Sequence, residues 1–176
     1  MADITITGIL SILTIIGQIF ILYSLFLLLA KKNIPHIIKR NSLIFAFVIA
    51  LLASLGSLFY SEILKFVPCD LCWYQRAFIY PLVFLLGTAW LRKFKNVFYY
   101  IIPLTAVGSL ISIYHYVIQT TSLSEFCTVS NGVSCVTEYF TTFGYINMQM
   151  MALTSFILIS ILTYIHKLHE HTEEGF

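Results

Sequence analysis

Leu58–Gly87 reads LFYSEILKFVPCDLCWYQRAFIYPLVFLLG. One apolar run ends near Ser61, a short connection follows, and a second apolar run opens near Tyr74, with Cys69 and Cys72 between them in C-x-x-C spacing. Followed outward, the first run reaches back to Leu43 and the second on to Leu91. Each is close to the roughly 20 apolar residues that an α-helix needs to cross a bilayer. Three more runs of this kind are Gly8–Ala30, Val97–Gln119 and Phe143–Ile165. The expected fold is an all-α integral membrane protein with five spans.

Composition agrees. The 176 residues are 59% hydrophobic and 10% charged, where a soluble domain carries about 25% charged residues. So few charges cannot cover so apolar a chain in water, so the lipid bilayer must be its solvent. A net charge of +2 offers no basic surface for nucleic acid. No repeat, low-complexity stretch or long linker divides the chain, which reads as one membrane domain. The first run lacks the basic flank and small-residue cleavage site of a secretory signal and is too long for one, so it reads as a helix. Pro81 and Pro103 fall in spans, where neighbouring helices tolerate them.

The basic residues set an orientation. Lys31, Lys32, Lys39 and Arg40 follow the first span, Arg92, Lys93 and Lys95 the third, and Lys167 the fifth. Lys65 and Arg76 are the exceptions on the other side. The positive-inside rule makes the basic loops and the C-terminus cytoplasmic and the N-terminus external. Ala46, Ala50 and Ser54, and Gly108 with Ser112, are small residues at four-residue spacing. Such rows mark helix contacts in lipid.

Cys127 and Cys135 lie between the fourth and fifth spans. Two spans separate them from Cys69 and Cys72, so both pairs face one side, placed outside by the charge bias, where disulfides persist. Three readings fit the spacing. A redox relay would exchange the pairs by thiolate attack, inert disulfides would staple the loops, and a four-thiolate site would hold zinc. A tight C-x-x-C ring is unusual as a passive staple, and the wider second spacing is not a usual zinc half-site, so no metal is expected.

Neighbouring residues favour the relay. Cys69 and Cys72 open the third span, and helix N-termini stabilise thiolates. Arg76 stands four residues after Cys72, on the same helical face. It suits a charge partner for a thiolate or a polar ligand oxygen, although an arginine here can also snorkel to the interface within a belt of Trp73, Tyr74 and Tyr80. His115 lies inside the fourth span, where an ionisable group is either functional or a neutral hydrogen-bonding link between helices. His36, His166, His169 and His171 fall in cytoplasmic segments, and HKLHEHTEE reads as a solvated tail.

These residues resemble a family. The Leu58–Gly87 stretch is similar to the bacterial disulfide bond formation protein B (DsbB) family, in its short, Gram-positive-type (BdbC-like) branch. GSLISIYHY, CTVSNGVSC and FGYINMQMMALTSF follow in the family's order. The resemblance spans about Asn41 to Lys167 and implies a four-helix transmembrane bundle. The first span is then one additional N-terminal helix. Residues 1–40 would form that helix and its basic loop, 41–167 the redox domain and 168–176 a cytoplasmic tail.

The implied activity is that of a protein-disulfide:quinone oxidoreductase in a bacterial cell membrane. It would reoxidise an extracytoplasmic thioredoxin-like thiol oxidase of the DsbA type and pass the electrons to ubiquinone or menaquinone. Carried over, Cys69 and Cys72 are the quinone-coupled pair, with Cys72 meeting the quinone. Arg76 and His115 bind the cofactor. Cys127 meets the partner, and Cys135 resolves toward Cys69. Two features depart from the family: the extra helix, and Met148 where proline often precedes Gln149. The rival readings are a vitamin K epoxide reductase-type quinone reductase, whose loop cysteines precede its C-x-x-C, and a non-enzymatic membrane protein with structural disulfides.

Overall fold

A computed structural model describes residues 2–30, 35–92, 94, 96–121 and 140–174, apart from the side chains of 2–5, 36 and 171–174. Its helices are α1 (Ala2–Leu29), α2 (His36–Leu58), α3 (Asp70–Arg92), α4 (Phe98–Thr121) and α5 (Met148–Glu174). A π-helical turn, Phe59–Ile63, prolongs α2. Among the described residues the only β pairing is the isolated Thr142–Ile146 bridge.

Among the described residues, four segments are long and apolar enough to cross a membrane: Ile6–Leu29, Ile37–Ile63, Phe98–Thr121 and Met148–Glu170. The expected third span falls in α3, which has the length, at 23 residues. Gln75, Arg76, Pro81 and Arg92 dilute its apolar content, so composition alone does not qualify it.

Helices α2 to α5 close a four-membered ring, in which α2 packs on α3, α3 on α4, α4 on α5 and α5 back on α2. The small residues lie at these contacts. Ala46, Ala50 and Ser112 are fully buried. At Gly108 a Cβ would stand 2.5 Å from the ring of Phe156, so only glycine lets that ring lie against α4. Phe156 joins Leu82, Leu86, Ile101, Ile159 and Leu162 in the core. Helix α1 stands outside the ring and runs parallel to α5, with Gly17 beside Thr154 and Leu158, and Leu27 beside Ile165.

Two expected boundaries change. The fifth span starts at Met148, not Phe143, because the chain first turns through the left-handed region at Phe143 (φ 55°) and Gly144 (φ 81°). Thr142 and Ile146 exchange backbone hydrogen bonds of 2.8 and 3.0 Å across that turn. Asn147 then caps the helix, its Oδ1 accepting the Met150 N–H at 2.9 Å. At its other end α5 continues to Glu174, so the expected tail begins as helix.

The connectivity gives the bundle two chemically distinct ends. Lys39, Arg40, Arg92 and Lys167 share one end; Lys167 donates to the Tyr99 hydroxyl at 3.1 Å. The C-x-x-C connection, the end of α4 and the start of α5 share the other. Lys31, Lys32, Lys93, Lys95, Cys127 and Cys135 lie outside the described residues.

Candidate active site

Pro68 precedes the first cysteine and α3 begins at Asp70, which makes Cys69 the helix cap. Its carbonyl accepts the Trp73 N–H at 3.2 Å. One turn of helix brings Cys72 back over it, and the two sulfurs lie 2.9 Å apart as free thiols. Cys69 is buried, while Cys72 is half-buried.

Helix α4 contributes His115, which is fully buried. Its Nε2 lies 3.6 Å from the Cys69 sulfur and 3.1 Å from the Gln149 amide nitrogen in the first turn of α5. Helix α4 therefore reaches the Cys69 thiol through His115, and α5 reaches His115 through Gln149. The Cys69 thiol is held at a pKa of about 4, far below the ordinary value. The main cause is the hydrogen bond from Cys72, which favours the thiolate. Burial opposes it, and His115 and the Cys72 backbone N–H assist it.

Arg76, although charged, is buried. It lies against Ser57, in the last turn of α2 before the π-helical turn. Nε donates to Ser57 Oγ at 2.8 Å and Nη2 to the Ser57 carbonyl at 3.0 Å. The guanidinium also lies 5.2 Å from the centre of the Trp73 ring, a cation–π distance. Further polar links tie this end together: Gln75 donates to Ser112 at 3.2 Å and Asn147 to Gln119 at 2.9 Å.

A cavity of about 550 Å³ opens beside the pair. Cys72, Gln75, Arg76, Ser57 and Tyr60 line its polar part, and side chains of α1, α2 and α5, with Ile79 of α3 and the 66–68 connection, line the rest. Cys69 and His115 are not in this lining. The two expected cofactor residues are thus separated: Arg76 is on the cavity wall, and His115 is on the thiol behind it. The Cys69, Cys72 and His115 ligand atoms lie within 4.8 Å of one another, a set that could also hold a metal ion.

Ser57 and Gln149 are site residues for which the chain's pattern gives no chemical signal. A serine late in a span reads as a helix contact, and a glutamine at a helix start as a polar end.

The sequence profile of the family described as "Disulfide bond formation protein DsbB" matches residues 39–166. The chain is 42% identical over 136 residues to "Probable disulfide formation protein C 2" of Bacillus cereus, covering 77% of this chain and 98% of that protein. It is 44% identical over 126 residues to "Disulfide bond formation protein C" of Bacillus subtilis, covering 69% of this chain and 91% of that one. No solved structure matches. With a C-x-x-C at the mouth of an apolar cavity in a bundle of membrane-spanning helices, and with relatives matched over nearly their whole length, this chain belongs to the DsbB family and is a membrane oxidoreductase of disulfide bond formation.

Proposed function

We propose that the protein carries electrons from an extracytoplasmic thioredoxin-like thiol oxidase (DsbA-like), through Cys127–Cys135 and then Cys69–Cys72, to a membrane quinone, menaquinone or ubiquinone. The observation that carries this reading is the cavity: it is largely apolar, it opens among membrane-spanning helices, and a redox thiol and a guanidinium stand on its wall. Its volume of about 550 Å³ suits a small-molecule site. Two of the five guanidinium N–H donors bond Ser57, which fixes the plane of the group and leaves donors for a ligand oxygen. A quinone, when bound, accepts two electrons and two protons.

The chain's own residues divide the remaining work. A partner thiolate attacks the Cys127–Cys135 disulfide, and the partner leaves as a disulfide while the loop pair becomes a dithiol. That dithiol reduces Cys69–Cys72. Cys69 faces the protein interior and exchanges with the loop, whereas Cys72 faces the cavity and hands the electron pair on. His115 Nε2 stands against the Cys69 sulfur at 3.6 Å, and the Gln149 amide nitrogen, 3.1 Å from the same ring atom, holds the imidazole beside the thiol.

In this reading α3, the third in chain order, is also a span and brings the number to five, since it packs against both α2 and α4. The basic end of the bundle is cytoplasmic by the positive-inside rule. Both cysteine pairs then lie on the extracytoplasmic side of a bacterial membrane, and the C-terminus lies inside.

Stopped-flow mixing of the purified protein with a reduced partner and menadione tests the reading. One quinone should be reduced for each partner disulfide formed. Partner oxidation that proceeds at full rate with no quinone consumed would overturn it.

A further inference from the structure

We propose that α1 is a wall of the ligand site, and that its inner stripe holds the isoprenoid tail of the quinone whose ring lies beside Cys72 and Arg76. The inference rests on the quinone reading above and extends it to a helix that precedes the family match, which begins at residue 39.

Helix α1 is seated rather than merely adjacent. At Gly17 a Cβ would stand 2.9 Å from Leu158 Cδ1, so the backbone of α1 reaches the side chains of α5. Gln18 donates to Thr154 Oγ1 at 3.4 Å and accepts from the Tyr145 hydroxyl at 2.9 Å. Pinned to α5, α1 leaves a space between itself and α2, and this space is the cavity. Leu10, Leu13, Gly17 and Phe20 line it at three- and four-residue spacing, the signature of one helical face. Ile12, Ile19 and Leu22, on the remaining surface, are exposed as lipid-facing residues are.

Polarity is graded along the cavity. Cys72, Gln75 and Arg76 stand at one end, Ile38 and Leu162 at the other. On α2 the lining extends from Ile38 to Ser57, about 29 Å at 1.5 Å per residue. The hydroxyls between the ends are turned to their own helices: Thr14 donates to the Leu10 carbonyl at 2.8 Å, Thr154 to Met150 at 2.8 Å and Ser155 to Met151 at 2.9 Å. A long, largely apolar space with hydrogen-bond donors at one end fits an amphiphile with a polar ring and a long hydrocarbon tail. A phospholipid acyl chain shares the tail chemistry, but its headgroup does not call for a redox thiol at the mouth.

The test uses the full chain in lipid nanodiscs and two photoreactive menaquinone analogues, one activated on the ring and one at the tail end. Adducts are mapped by peptide mass. The ring probe should mark α3 near Cys72, and the tail probe should mark α1 between Leu10 and Phe20, with excess long-tail menaquinone suppressing both. In parallel, Leu13→Trp should weaken equilibrium binding of long-tail menaquinone about ten-fold, or 1.4 kcal/mol, and leave tail-less menadione unchanged. Ile12→Trp, on the outer face, should change neither. A ring adduct on α3 with no tail adduct on α1 overturns this inference and spares the quinone reading. Absence of the ring adduct overturns both. A tail adduct suppressed by phospholipid but not by menaquinone assigns the wall to lipid and overturns it, as does an equal loss of both ligands in Leu13→Trp.

Discussion

Helices α1 and α3 are the two least alike in the molecule. The span Ile6–Leu29 in α1 has no charged residue, and its apolar side chains mostly face outward. Helix α3 falls short of a membrane span by composition, yet it is capped by Cys69 and carries Cys72, Gln75 and a buried arginine. Each of these polar groups has a protein partner: Ser57 for Arg76, Ser112 for Gln75, and His115 for Cys69. Membrane affinity and chemistry thus oppose one another along a helix. The bundle supplies the contacts that keep the less apolar helix in place, while α1 depends on lipid and on one face of α5.

The largest effect that would sharpen the comparison comes from the C-x-x-C. Cys72→Ser should reduce disulfide formation in a reduced partner to the uncatalysed rate, because no second sulfur remains to close the pair. Residual quinone-linked turnover in this variant would move the redox centre away from α3.

The pH dependence should differ nearly as much from that of a simple thiol. The depressed pKa means that the Cys69 thiolate persists at all pH values above about 4 and is lost only as pH falls through that value. An ordinary thiol, near 8.5, would lose its thiolate roughly ten-fold per unit below that. Thiolate ultraviolet absorbance of the reduced protein, taken as the difference from Cys69→Ser, should therefore stay level from neutral pH down to about 5. A midpoint near 8 would show that Cys72 and His115 do not hold the charge.

The sequence makes some of this arrangement legible. Long apolar runs locate the helices because the bilayer demands them, and small residues such as Ala50 and Gly108 mark close helix contacts. The start of α5 is harder, since Phe143 and Ile146 are as apolar as a span residue and only Gly144 and Asn147 betray the turn and cap. The partners of the site are harder still. The approach of His115 to Cys69 joins residues 46 apart, and the Arg76–Ser57 bond joins residues 19 apart in different helices. The inner stripe of α1 is not legible at all, because leucine and phenylalanine suit lipid and a tail channel equally. Cys127 and Cys135 are known from the sequence alone.

Arg76 gives an intermediate effect. Arg76→Ala should weaken quinone affinity about ten- to a hundred-fold, the equivalent of roughly 1.5–3 kcal/mol for a lost charge-assisted hydrogen bond. Single-turnover oxidation of the partner by the loop pair should change little. Arg76→Lys should recover only part of the affinity, since an ammonium cannot bond Ser57 through a planar fork and still present donors to the cavity. Full recovery by lysine would reduce the role of Arg76 to its charge.

The smallest effects compare the two helices that approach α5 through a glycine. At Gly108 on α4, a Cβ would stand 2.5 Å from ring carbons of Phe156, which is almost fully buried in the core. A packed ring cannot yield without displacing its neighbours, so Gly108→Ala should lower stability by roughly 1–3 kcal/mol, as overpacking does. At Gly17 on α1 the nearest atom is the far end of Leu158, at 2.9 Å, which another rotamer can clear. Alanine also gains about 0.5–1 kcal/mol over glycine inside a helix, so Gly17→Ala should be close to neutral. Unfolding in mixed micelles, followed by tryptophan fluorescence, measures both variants. Equal losses would mean that α1 is packed as tightly as the four-helix ring, and the contrast between a lipid-held helix and a protein-held bundle would fail.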